Sequence, residues 1–244
     1  MTVIPHSPLE LVLAALVALV GATVQGVLGF GYAVLAVPVL TLIDPGFTPV
    51  PVLLVALPQT VAAAWRERGD LDLDGVGWII GGRIPGSVVG AWVLIVAARA
   101  LLDGIIALVV LAAVAALGLG WSVRLTRTSR FVAGFASGFS GTTSAIGGPP
   151  IALLYRDSGA STVRSSLGAV FALGIIVNLV VLAAAGVVVR ADWVAAGILL
   201  VPTMAGFWLS SAVKGRVPDE ALRTGILVVA ALAAIGLALR SATG

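Results

Sequence analysis

The stretch "GFASGFSGTTSAIGGPP" (134–150) decides how this chain folds. Through Ile151 it places five glycines, three serines and two threonines inside a long hydrophobic segment. Glycine and proline at membrane depth break helices, and a broken helix survives in lipid only where protein or a water-filled cavity satisfies its backbone. An edited copy stands earlier, "GATVQGVLGFGYAVLAVP" (21–38). Gly26-x-x-Gly29 with Pro38 answers Gly138-x-x-Gly141 with Pro150, each pair 112 positions apart. A duplicated break points to a transport site between two halves.

Composition sets the class. Hydrophobic residues make up 60% of the 244 and charged ones 10%, against about 25% charged in a soluble domain. A span of the hydrocarbon core needs about 20 apolar residues. Eight long apolar segments are expected, near 9–42, 49–65, 75–98, 100–123, 131–155, 164–189, 191–213 and 219–239. They leave no room for a soluble domain, and the absence of strand-like alternation excludes a barrel. The run behind Met1–Pro8 exceeds a signal-peptide core and reads as retained. With no cysteine, thiolate metal sites and disulfides are excluded. The +3 net charge sits between apolar segments, which makes it a topology signal and not a nucleic-acid surface.

Thirteen of the fourteen basic residues lie at segment ends, and Arg83 is the exception. If all eight segments cross, the two faces receive seven and six of them, with no bias. If the first and fifth segments dip in and return, the loops at 66–74, 124–130, 156–164 and 214–223 share one face. That face collects ten, leaving Arg99, Arg190 and Arg240 opposite, a cytoplasmic signature. The first segment as one helix would run about 51 Å, too long for a single crossing. The expected fold is therefore an all-α polytopic membrane protein of two inverted repeats, 1–123 and 124–244. Each is a Gly-rich re-entrant segment plus three transmembrane helices. Eight plain crossings with parallel halves is the alternative.

Pro149 and Pro150 suit the first turn of a new helix, expected to run through Tyr155. Its N-terminus, with unpaired N–H groups and the positive dipole end, makes an anion site. The first half repeats this, with Gly26 to Gly31 as the break, Gln25 as its polar group and a half-helix from about Tyr32. Arg83 lies deep in the third segment, where a guanidinium costs about 2.5–3.5 kcal/mol and is functional by default. It either binds an anion or snorkels towards Asp72 or Asp74. The substrate-binding candidates are Arg83, Gln25, Gly26, Gly29, Ser137, Gly138, Ser140, Gly141, Thr142, Thr143, Ser144, Gly148, Gln59 and Asn178. Each glycine among them, taken singly, reads first as a helix-packing contact. Gly138-Phe139-Ser140-Gly141 matches an intramembrane serine-protease pattern, yet the one histidine, His6, precedes the first segment, so no base is at hand. No enzyme, metal or cofactor is expected.

At the two Gly-rich segments, at Arg66-Glu67-Arg68-Gly69 and at "GRIPGSVVGAW" (82–92), the chain resembles the TauE/SafE sulfite-exporter family, also called toluene-sulfonate uptake permeases. The resemblance spans essentially the whole chain. It implies movement of sulfur-containing anions, sulfite or organosulfonates, across a bacterial inner membrane. Phe30, Tyr32 and Ala33 stand where a more uniform glycine run would be expected, reshaping that side of the cradle. The combined reading is a transporter for small sulfur-containing oxyanions, alternating access about a midplane site; a channel-like pore is the alternative. The partners are an anionic substrate and the bilayer, not nucleic acid, and a homo-oligomer is compatible with the sequence.

The topology has a direct check. Single cysteines placed in the 124–130 loop of the cysteine-free chain should react with an impermeant maleimide only from the cytoplasmic side. Labelling from outside intact cells overturns the sidedness.

Overall fold

The computed structural model describes residues 7–66, 72–119, 123–155 and 160–243. Among these residues the chain is helical, without a strand. The helices are α1 (Pro8–Leu28), α2 (Tyr32–Ile43), α3 (Val50–Arg66), α4 (Leu73–Val96), α5 (Arg99–Gly118), α6 (Arg127–Ser144), α7 (Gly148–Tyr155), α8 (Ala160–Ala184), α9 (Arg190–Val213) and α10 (Asp219–Thr243). The first and fifth apolar segments are each broken in two, and the other six each form one helix. Seven stretches are long and apolar enough to cross a membrane. The Gly-, Ser- and Thr-rich α6, at 18 residues, is not among them. The loop positions Glu67, Arg68, Gly69 and Arg156 lie outside the described residues.

Local chemistry sets the helix starts. Ser7 and Glu10 form a capping box at α1, as Thr126 and Ser129 do at α6. Asp72 Oδ1 accepts from Gly75 N at 2.9 Å and caps α4. The breaks fall later than the glycine pattern suggests. α1 runs through Gly26 and ends at Gly29, whose φ of 83° is left-handed. α6 runs through Gly138 and Gly141 and ends at Ala145, with φ 58°. Gly26, Gly138 and Gly141 are thus helical and not part of a break. Helix ends and restarts correspond 116 positions apart, Gly29 to Ala145 and Tyr32 to Gly148. This is one helical turn beyond the separation of the glycine motifs.

The reason is helix packing. A Cβ at Gly82 would stand 2.0 Å from Phe131 O, and one at Gly86 2.2 Å from Phe135 O. One at Gly134 would meet Ile79 O at 2.1 Å, and one at Gly138 would meet Arg83 O at 2.3 Å. Bare backbone therefore touches bare backbone along parallel α4 and α6. The α1–α9 pair repeats this, with Gly206 against Leu19 O and Gly26 against Ser210. Such a ridge recurs every four residues, so a one-turn slip preserves it. Gly206 and Gly86 then occupy like places, and the counterpart of Arg83 becomes Thr203 instead of the Leu200 that matching Pro85 to Pro202 would give.

α3 packs on α8, α5 on α10, α4 on α8 and α9 on α3. Both ends of the second broken segment meet one carboxylate: Arg130 Nη2 donates to Asp72 Oδ2 at 2.7 Å, and Tyr155 Oη donates to it at 3.1 Å. The segment therefore enters and returns at the start of α4. The end of α2 is held elsewhere, where Arg240 Nη1 donates to Thr41 O at 3.1 Å. Arg240 and Arg99 also flank the buried Asp103. Exposed Trp65, Trp78 and Trp208 sit near the α3, α4 and α9 ends on the Asp72 side, and Trp92 and Trp193 near the opposite ends. This is the placement of interfacial aromatic anchors.

Two substitutions on α4 separate packing glycines from idle ones. Gly82→Ala should lower stability by about 1–3 kcal/mol through overpacking. Gly81→Ala, with nothing within 4 Å of its Cβ, should raise it by about 0.4–1 kcal/mol. Thermal unfolding in detergent reads both, and equal shifts would overturn the assignment.

Candidate functional site

The second break is held by the hydroxyls of α6. Ser140 Oγ lies 2.8 Å from Ile146 O and from Ala136 O, and Ser137 Oγ donates to Gly147 O. The carbonyls of the connecting residues Ile146 and Gly147 thus find partners without water, as lipid depth demands. In the first break, Gln25 Oε1 accepts from Tyr32 N at 3.2 Å and caps α2.

Arg83 reaches the second break from α4. It is 2% exposed. Its Nη1 donates to Ser137 Oγ at 2.7 Å, and its Nη2 lies 3.5 Å from Asn178 Oδ1. Ser87 Oγ donates to the same Asn178 oxygen at 2.9 Å. With that oxygen turned to two donors, the Asn178 Nδ2 group is left without a partner among the described residues. Space for the guanidinium comes from glycine: a Cβ at Gly174 would stand 2.2 Å from Arg83 Cζ, and one at Gly141 3.2 Å from Nη2. Among the described residues no carboxylate pairs with Arg83. Asp72 and Asp74 are engaged by Arg130 instead, so the snorkelling alternative is not what the structure adopts.

Both breaks open on one cavity of about 50 Å³. Gln25, Gly31 and the first three residues of α2 line it from the first break, and Ala145, Gly147 and Gly148 from the second. Arg83, Asn178 and Thr60 add polar groups. The first turns of two half-helices and a guanidinium face one space, and among the described residues no acidic side chain lines it. Such a space favours an anion.

A family model described as Sulfite exporter TauE/SafE matches residues 13–237. The chain belongs to the TauE/SafE family. The fold and this membership make it a multi-pass membrane transport protein. Searches of curated proteins and of solved structures returned no match.

In this TauE/SafE chain the cavity gathers Arg83, Gln25, Asn178 and Gly148 from the expected set. Ser137 and Gly141 stand one layer behind, against the guanidinium. Ser140 secures the break, while Thr143 and Ser144 return their hydroxyls to α6 carbonyls. Gly26 and Gly138 pack helices, and Gly29 ends α1. The side chains of Gln59 and Thr142 are buried without hydrogen-bond partners among the described residues and do not line the cavity. Sequence reading missed Thr60, Phe171 and Gly174 as site neighbours. Nothing in their local patterns marks them, since only the crossing of α3, α4 and α8 brings them in.

The seat of the guanidinium can be measured by a double-mutant cycle. Gly174→Ala should cost about 1–3 kcal/mol in the parent. It should cost at least ~0.5 kcal/mol less in the Arg83→Ala background. Additive costs would show that the two groups do not touch.

Proposed function

We propose that this chain carries small sulfur-containing oxyanions, sulfite or an organosulfonate, by alternating access around the cavity at Arg83. One observation carries the reading: a guanidinium held at membrane depth with no carboxylate opens into the cavity where both helix breaks meet. A bound anion supplies the missing charge, and the planar fork matches a sulfonate or sulfite oxygen face at two points. The half-helix starts at Tyr32 and Gly148 add N–H groups and positive dipole ends. Ser137 and Asn178 hold the guanidinium, and Asn178 Nδ2 is free to meet a substrate oxygen.

The halves, 1–123 and 124–244, act as inverted repeats in this reading. The exchange of packing partners between α1–α5 and α6–α10 supports it. So does the return of α6–α7 to Asp72, because a re-entrant segment plus three crossings is an odd count. The start of α6 and the ends of α3, α7 and α9 then share the face that carries the basic loops, cytoplasmic in a bacterial inner membrane. Rocking of one repeat against the other exposes the site to each side in turn.

Purified protein in liposomes tests this. Sulfite or sulfonate flux should saturate and should fall at least tenfold in Arg83→Ala. Arg83→Lys should recover it only partly, since a lysine lacks the two-point fork. Undiminished flux in Arg83→Ala overturns the site, and non-saturating, conductive flux establishes the pore instead.

A further inference from the structure

Two pairs of helices are locked along their length, and each lock joins one half of the sequence to the other. Along α4 and α6, a Cβ at Gly82, Gly86 or Gly90 would stand 2.0, 2.2 or 2.8 Å from the carbonyl oxygen of Phe131, Phe135 or Phe139. Arg83 Nη1 donates to Ser137 Oγ across the same seam. Along α1 and α9, Gly206 lies against Leu19 O and Gly26 against Ser210, and Thr23 Oγ1 donates to Gly206 O at 3.1 Å. Tilting either pair would part bare backbone over successive turns, and surfaces packed this closely do not deform continuously.

Further ties gather more helices on each lock. Asp72 N, at the start of α4, donates to Ser166 Oγ of α8 at 3.2 Å, and Asn178 of the same helix accepts from Ser87. Tyr155 binds the end of α7 to Asp72. On the other side, Tyr32 Oη at the start of α2 lies 3.3 Å from Thr203 Oγ1 on α9, and α3 packs on α9. The helices thus sort into two groups: α1, α2, α3 and α9 against α4, α6, α7 and α8. Each is one repeat's broken segment and the helix that follows it, completed by a helix of the other repeat.

The cavity lies on the seam between these groups. Gln25, Tyr32 and Thr60 line it from the first, and Arg83, Gly148 and Asn178 from the second. Beside it α3 and α8 almost touch: a Cβ at Gly168 would stand 2.9 Å from Ala64 Cα. One turn further on, Thr60 and Phe171 already face the cavity, so the two helices part from that point. The connection from α8 to α9 passes from one group to the other. It carries Gly186 at φ 69°, with nothing within 4 Å of a Cβ there. An uncrowded glycine is suited to absorb a change of backbone angle.

We propose that these two groups are the bodies that move in transport, pivoting where Ala64 meets Gly168. Each repeat then rocks with one helix of the other in place of its own: α9 goes with the first broken segment and α4 with the second. This rests on the alternating-access reading above and names the helices it sets in motion.

Distances between gadolinium-labelled cysteine pairs test it, because the chain has no cysteine of its own. Cysteines at Leu16 and Val201 mark α1 and α9, and cysteines at Ile84 and Val132 mark α4 and α6; all four side chains are exposed. Double variants that carry sulfite flux in liposomes are compared with and without saturating sulfite by pulsed dipolar spectroscopy. Leu16–Val201 and Ile84–Val132 should hold their distances, and Leu16–Ile84 should shift by more than about 2 Å. Motion of intact sequence halves gives the reverse, Leu16–Ile84 fixed and the other two shifting. That result overturns the exchange of helices and leaves alternating access standing. A flexible bis-maleimide bridge from Trp78→Cys to Arg127→Cys is the second readout, placed where Arg127 Cζ lies 5.7 Å from the Trp78 ring. It joins the sequence halves inside one body, so flux should survive it. Loss of flux beyond that of singly labelled controls overturns the exchange. If no pair shifts while flux persists, alternating access and the exchange fall together.

Discussion

A peptide group cannot be left bare in hydrocarbon, and the architecture of this chain is a response to that constraint. Two helices stop at membrane depth, at Leu28 and Ser144. Each stop frees carbonyls on one side and N–H groups on the other. In the second break the carbonyls of the connecting residues Ile146 and Gly147 are taken by Ser140 and Ser137. The N–H ends of α2 and α7 are turned towards the cavity, with one of them capped by Gln25. Hydroxyl density in α6 thus has a structural task. The polarity that keeps α6 from reading as an ordinary span also lets the break exist.

Glycine serves two purposes here, and the sequence does not distinguish them. At Gly29 and Gly31 it allows left-handed backbone. At Gly82, Gly86, Gly134, Gly138 and Gly206 it lets one helix backbone lie against another. The second use dominates and repeats every turn. That periodicity explains why the matched motifs and the matched breaks differ in register by four residues. Ala145 shows the reverse case, a left-handed position that holds no glycine.

The two broken segments are alike, yet the charge stands at only one of them. Arg83 on α4 corresponds to Thr203 on α9, whose hydroxyl meets Tyr32 Oη at 3.3 Å. One positive charge therefore stands near the meeting point of two similar hairpins. It is held by Ser137 and, more distantly, Asn178, and given room by Gly174 and Gly141. A symmetric pair of arginines would repel one another at this depth; the corresponding place on α9 carries a neutral hydroxyl pair instead.

Much of this was legible in the residues alone. Apolar runs of spanning length, Gly-Gly-Pro-Pro at a helix restart, and a lone arginine far from any acid are local facts with direct physical meaning, and they determined the helical membrane class, the two breaks, the restarts near Tyr32 and Gly148, and Arg83 as the central charge. What only the tertiary structure decided is which glycines pack and which turn, that Asp72 belongs to Arg130 and Tyr155, and that Thr60, Phe171 and Gly174 share a space with Arg83. Those outcomes depend on how helices far apart in the chain cross, and a helix carries the same side-chain pattern whichever neighbour it meets. Composition and spacing act within a turn or two, whereas a cavity exists only where several helices fail to fill the space between them.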